Sequence, residues 1–302
     1  MRGCSTIPVS VSREKTESWL RAAPIARPPR AAAETAVHLA RRPLVTAATA
    51  LLVILVLATG AVGAQANAAW WTPPQRLTWY WQLQGTVAND QPVAAYDIDG
   101  FETSAAEVAA LHSQGKHVIC YIDVGTAEKF RPDYSSFPAS VLGRSNGWPG
   151  ERWLDIRQLA IVEPIMTARF RMCREKGFDA VEPDNIEGYA NKTGFPITAQ
   201  QQLTYNEWVA EEVHSLGMAV LQKNDGEQSG VLEPYFDGAL SEQCNQYREC
   251  ASFQTYLSAG KPVLNAEYHL ATKRFCAADE AAGIMGARYN LALNGKKFQP
   301  CW

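Results

Sequence analysis

The sequence predicts an α/β fold, a (β/α)8 barrel of the TIM type, built as a single domain behind an N-terminal segment. Three observations predict it. After residue 69, short and nearly continuous apolar runs alternate with stretches of helical period. Such alternation implies a parallel sheet covered on both faces. Eight of these units fit into ~230 residues, close to the size usual for the barrel. No G-x-G-x-x-G or Walker pattern follows the first run, as an open doubly wound sheet would usually require.

The expected strands, in order, are TWYWQLQ (78–84), VAAYDID (93–99), HVICYID (117–123), FDAVEPD (178–184), MAVLQKN (218–224), GALSEQ (238–243), PVLNAEY (262–268) and GIMGARY (283–289), with WLDI (153–156) as a shorter extra candidate. Helices are expected between them. SAAEVAALHSQG stops at Gly115, a suitable position for a left-handed cap, and IRQLAIVEPIMTARFRMCREKG stops at Gly177. TAQQQLTYNEWVAEEVHSLG opens on a Thr cap, carries apolar residues at helical spacing and stops at Gly217.

The chain has 302 residues, 47% of them hydrophobic, and a net charge of -3. Residues 1–68 carry 8 Lys/Arg against 3 Asp/Glu, and the rest carries 20 against 28. The acidic body argues against a nucleic-acid partner, whose phosphates need a basic footprint. Arg27, Arg30, Arg41 and Arg42 precede a long apolar run and the A-x-A site Ala66–Asn67–Ala68. Residues 1–68 therefore read as a basic tail plus a secretory signal, or as a membrane anchor if uncleaved. A membrane is a partner only in that second case. Residues 69–302 read as the exported domain. Six cysteines lie in that body, which in an oxidising compartment suggests disulfides. Cys244–Cys250, Cys276–Cys301 and Cys120–Cys173 is one pairing of 15.

Six strands share one feature: each begins apolar and ends polar. The ends are Asp97 and Asp99; Tyr121 and Asp123; Glu182, Asp184 and Asn185; Gln222, Lys223 and Asn224; Glu242 and Gln243; and Asn265, Glu267 and Tyr268. Rim solvation explains one such residue, but six strands ending this way indicate a site on the C-terminal face of the barrel. The chemistry offered there is carboxylate. The chain has 5 His without HxH or HExxH spacing, and no G-x-S-x-G elbow, so neither a metal site nor a serine nucleophile is expected, and no cofactor. Paired acids with aromatic neighbours point to glycoside hydrolysis. Trp79, Tyr80, Trp81, Tyr121 and Tyr268 are the aromatics available to sugar rings.

The set WYWQLQG, YDIDG, CYIDVG, WLDIR, FDAVEPDN, LQKN, LSEQC and LNAEY resembles glycoside hydrolase family 114, the endo-α-1,4-polygalactosaminidases, in order and over nearly the whole body. The resemblance implies a barrel that cleaves α-1,4-linked, galactosamine-rich exopolysaccharide of the kind found in biofilms. It implies Asp184 as nucleophile and Glu242 as general acid/base of a retaining reaction. Physical reasoning adds supporting roles. Glu182 and Asp184 share a strand face, and Lys223 on the same rim would keep a nucleophile ionised. Asn185, Asn224 and Asn265 would bind hydroxyls. Asp97, Asp99, Asp123 and Glu267 would make the mouth acidic, suited to an ammonium at C2. The alternatives are a non-catalytic carbohydrate-binding barrel, or hydrolysis of another α-linked cell-envelope glycan.

Overall fold

The computed structural model describes residues 70–302; the tail, the signal or anchor segment and Cys4 lie outside the described residues. Twelve strands and seven α-helices follow in order: β1 (Trp79–Gln82), β2 (Ala95–Asp99), α1 (Ala105–Ser113), β3 (His117–Asp123), β4 (Thr126–Glu128), β5 (Leu142–Ser145), β6 (Glu151–Leu154), α2 (Leu159–Lys176), β7 (Ala180–Asp184), α3 (Ala199–Ser215), β8 (Ala219–Lys223), α4 (Ser229–Leu232), β9 (Gly238–Glu242), α5 (Cys244–Tyr247), α6 (Gln254–Ser258), β10 (Val263–Glu267), α7 (Cys276–Ala282), β11 (Met285–Tyr289) and β12 (Phe298–Pro300).

The eight expected strands form one nearly closed barrel. They run parallel in the order β1-β2-β3-β7-β8-β9-β10-β11, and β12 adds antiparallel to β11. Side chains bring the two ends together: Trp79 Nε1 donates to Met285 O at 2.8 Å, and Tyr289 packs against both Trp79 and Trp81. Trp79, Tyr80 and Trp81 are therefore core residues. This corrects the expectation that Trp81 offers its face to a sugar.

The helices repeat less regularly than the strands. No helix joins β1 to β2, and β12 takes the place of a last one. The β1–β2 connection contains Gly85, Asn89, Asp90 and Pro92, which favour turns over helix. The three longest helices match expectation. α1 and α3 open on capping boxes at Ser104 and Thr198, and α2 ends at Gly177 with φ 95°. The extra candidate WLDI belongs to a separate three-stranded sheet, β4-β6-β5, inserted after β3. Among the described residues no helix is long and apolar enough to cross a membrane.

The three disulfides are Cys120–Cys173, Cys244–Cys250 and Cys276–Cys301. The first ties β3 to α2, the second closes the loop that follows Glu242, and the third fastens the C-terminus to α7.

Candidate active site

The C-terminal ends of β7, β8 and β9 carry the core of the site, and each strand turns away through a left-handed residue. Asn185, Asn224 and Gln243 follow Asp184, Lys223 and Glu242 with φ of 63°, 45° and 60°. Asn tolerates this region, whereas Gln does so with strain. The abrupt turns stop the strands where their last side chains project into the barrel mouth. The turn after β3 closes against β7, with Val124 and Gly125 donating their N–H groups to Asp184 O. A Cβ on Gly125 would lie 1.8 Å from Asn185 O, so only glycine fits there.

Lys223 is the centre of the arrangement. Its buried ammonium lies 2.9 Å from Asp184 Oδ1, 2.9 Å from Glu182 Oε1 and 3.4 Å from Glu242 Oε2. The contact to Glu182 is an ion pair without hydrogen-bond alignment, and the one to Asp184 is a hydrogen bond. The ammonium also sits 4.9 Å above the Trp81 ring and 5.8 Å from the Tyr121 ring. Burial alone would lower its pKa, but the Asp184, Glu182 and Glu242 charges outweigh burial and hold it well above the usual lysine range.

Asp184 and Glu242 are the partly open members, with side chains 18% and 27% exposed. Asp184 Oδ1 also accepts from Asn185 N at 2.8 Å, and Oδ2 accepts from Tyr121 Oη at 2.8 Å. Glu242 Oε1 accepts from Tyr268 Oη in a short hydrogen bond. Asn224 brackets Glu242: its Oδ1 accepts the Glu242 N–H at 2.8 Å and its Nδ2 donates to Oε2 at 3.3 Å. Because Asp184 Oδ1 and Glu242 Oε2 lie 2.9 and 3.4 Å from one ammonium, they are at most about 6.3 Å apart.

Tyr121, Glu182, Lys223, Asn224 and Tyr268 thus gather around the two carboxylates, while other expected site residues do not line the mouth. Asn265 and Glu267 lie on the opposite face of β10 from Ala266, which is in register with Glu242. They point toward α5 and α7. Glu267 Oε1 accepts from Asn245 N at 2.9 Å, and Asn265 Nδ2 donates to Asp279 Oδ2 at 3.0 Å. Asp99 is held by Arg131 at 2.5 and 2.9 Å, and Arg131 also pairs with Glu128. Asp123 accepts from Thr126 N at 2.7 Å and from Asn185 Nδ2 at 2.9 Å, which commits Asn185 to the turn. Asp97 is fully buried. The expected acidic mouth of Asp97, Asp99, Asp123 and Glu267 is therefore an inner scaffold.

The acids that do surround the pair lie on loops and on the inserted sheet. Glu187, three residues past Asp184, is pushed to about 7 by burial, with the Asp184 and Glu242 charges adding to it. Asp225 does not reach the pair: it is buried, accepts from Tyr189 Oη and Asn206 Nδ2, and is pushed to about 8, again mainly by burial. Glu151 on β6 is pushed to about 7 by burial and by the Glu128 and Asp184 charges. Phe130 and Trp148, 62% and 43% exposed, are large aromatic surfaces of the inserted region. The positions of Glu187 and Asp225, just past polar strand ends, were visible in the sequence. Glu151 had no comparable signal.

Comparison with known proteins adds four findings. Residues 60–301 match the family described as glycoside-hydrolase family GH114. The structure of Ega3 from Aspergillus fumigatus in complex with galactosamine is similar at 32% identity and a TM-score of 0.70, covering 75% of this chain and 96% of that one. The glycoside hydrolase domain of PelA from Pseudomonas aeruginosa shares the fold at a TM-score of 0.57 and 14% identity, over 74% of this chain and 97% of that one. An uncharacterized protein of Deinococcus radiodurans is 27% identical over 223 residues, which is 64% of this chain and 70% of the relative.

Proposed function

The chain belongs to glycoside-hydrolase family GH114 and is a glycoside hydrolase; from that premise we propose that it cleaves α-1,4-linked, galactosamine-rich polysaccharide internally and with retention. The observation that carries this reading is the single ammonium touching both Asp184 and Glu242. It holds one oxygen of each acid within about 6.3 Å of the other, which is compatible with the ~5–5.5 Å carboxyl spacing of retaining enzymes. The galactosamine bound to the similar Ega3 structure supports the sugar.

In this reading Asp184 attacks the anomeric carbon while Glu242 protonates the leaving oxygen. Glu242, now a base, then activates the water that releases the sugar. Tyr121 and Lys223 hold the Asp184 oxygens in place, and Tyr268 and Asn224 hold those of Glu242. Glu151 and Glu187 would ionise on meeting a substrate ammonium, since an opposite charge lowers a carboxyl pKa, and Phe130 and Trp148 supply apolar faces for sugar rings. Residues 69–302 are the catalytic domain and residues 1–68 the leader or anchor. The three disulfides support export.

The test is release of reducing ends. Partly deacetylated galactosamine polymer should be cut faster than the fully acetylated polymer, and α-1,4-glucan should not be cut. Equal rates on both galactosamine polymers would remove the ammonium from the argument, and cleavage of the glucan alone would replace the substrate class.

The Asn224 bracket makes a second prediction. Asn224→Ala removes both bonds that fix Glu242, and kcat should fall roughly 10- to 100-fold with KM little changed, since small misplacement of a reacting group is costly. An equal loss in binding and turnover would instead assign Asn224 to the sugar.

A further inference from the structure

The barrel interior holds one buried acid that the reaction above does not use. Asp97, in the middle of β2, is fully buried, and neither carboxyl oxygen meets an N–H or O–H donor. A charged carboxylate in that position would be strongly disfavoured. Its neighbours in register are Trp81 on β1 and Ile119 on β3. The titratable groups facing it are Glu182 and Asp184 on β7, Lys223 on β8 and Tyr289 on β11.

Glu182 is equally buried, its oxygens likewise meet no aligned N–H or O–H donor, and its charge and side-chain hydrogen bonding both act on Asp97. Two carboxyl groups form such a bond only when one carries a proton. The Lys223 ammonium, 2.9 Å from Glu182 Oε1, decides which one. It favours negative charge on Glu182 and leaves the proton on Asp97. The electrostatics agree. Burial, then the Glu182 charge, push Asp97 well above the carboxylate range, whereas Lys223 limits the rise at Glu182 to about 7.

We propose that Asp97 is a neutral carboxylic acid in the working enzyme, a positioning residue that donates its proton in a hydrogen bond to Glu182 and thereby holds Lys223 against Asp184. The chain of contacts runs Asp97 to Glu182 to Lys223 to Asp184. The catalytic consequence rests on the role proposed for Asp184; the protonation state does not. If Asp97 lost its proton, two buried negative charges would compete with Asp184 for one ammonium. The sign for stability follows. The folded state keeps a proton that the unfolded chain releases near pH ~3.9. This contribution is therefore fully present below that pH and is lost as pH rises through the folded value.

Infrared difference spectroscopy of the full chain against its Asp97→Asn variant at pH 8, above the value of about 7 reached by Glu182, tests the protonation directly. The wild type should show the C=O stretch of a protonated carboxylic acid that the variant lacks; absence of that band overturns the proposal. On the galactosamine polymer, Asp97→Ala should lower kcat about 100-fold. Asp97→Asn should restore most of that loss, because its amide also donates to Glu182, and should move the alkaline limb of the pH profile upward. An Asn variant as impaired as the Ala variant, or an alkaline limb that does not move, overturns the positioning role. The infrared measurement needs no substrate, so a wild type inactive on the polymer would count against the proposed function alone.

Discussion

Asp184→Asn should abolish release of reducing ends, with kcat reduced on the order of 10⁴-fold or more, as expected when a covalent nucleophile is lost. Glu242→Gln should fall less, by roughly 10²- to 10⁴-fold, the range of general acid/base assistance. The two roles separate by choice of leaving group. An aryl α-galactosaminide with an acidic phenol leaves without protonation, so Glu242→Gln should still release a burst of phenol on it. Asp184→Asn should not. Added azide should then rescue turnover of the Glu242 variant and give the α-glycosyl azide, since the second step needs no base for an anionic nucleophile. Thermal unfolding of both variants is the control. An Asn at 184 turns an amide toward Lys223, so some stability loss is expected, but the protein should remain folded at assay temperature. Full activity in both variants would reject the pair, and a β-azide product would reject retention.

The resemblance supplied the pair proposed here, and strand parity supplied only the shared face of Glu182 and Asp184. Both do contact Lys223. Parity failed on β10, where Asn265 and Glu267 face helices rather than the interior. Barrel strands are buried on both faces, so alternation does not reveal which side is the lumen. Ala266 was the available clue, since it is the residue in register with Glu242. Asp99 and Asp123 were misread for another reason. Acids at strand ends also fasten loops, and their partners, Arg131 and Thr126, lie on an inserted segment. That insertion was nearly invisible: β4, β5 and β6 are three or four residues long, and β5 pairs with β6 through an irregular register. Glu151 was hidden with it. The irregular helix count has the same origin as much of this, in connections whose turn residues carry no helical period.

Lys223→Met should be the most disruptive single change that leaves both proposed catalytic acids in place. Met has nearly the volume of the lysine stem, so a cavity does not account for the effect. What disappears is the ammonium within 2.9 to 3.4 Å of three carboxylates, and among the described residues no other cation pairs with any of them. Breaking a buried ion pair from one side costs roughly 3–5 kcal/mol, because the remaining charge is left uncompensated. Here the most buried of the released carboxylates, Glu182, has an escape: it takes up a proton. The loss of stability should therefore depend on pH. In the wild type the raised lysine pKa contributes stability that is fully present below the unfolded value near ~10.4, so it is present at both pH 5 and pH 8. In the variant Glu182, at about 7 even with the lysine beside it, loses the charge that holds its pKa down, so it is neutral at pH 5, and at pH 8 its ionisation is uncompensated. Urea unfolding should then show a smaller deficit at pH 5 than at pH 8. Activity should fall by about 10³-fold or more at either pH, since an Asp184 without its ammonium partner is misplaced for attack. An equal stability deficit at both pH values, with kcat within tenfold of the wild type, would reduce Lys223 to a packing residue and remove the charge argument on which the site rests.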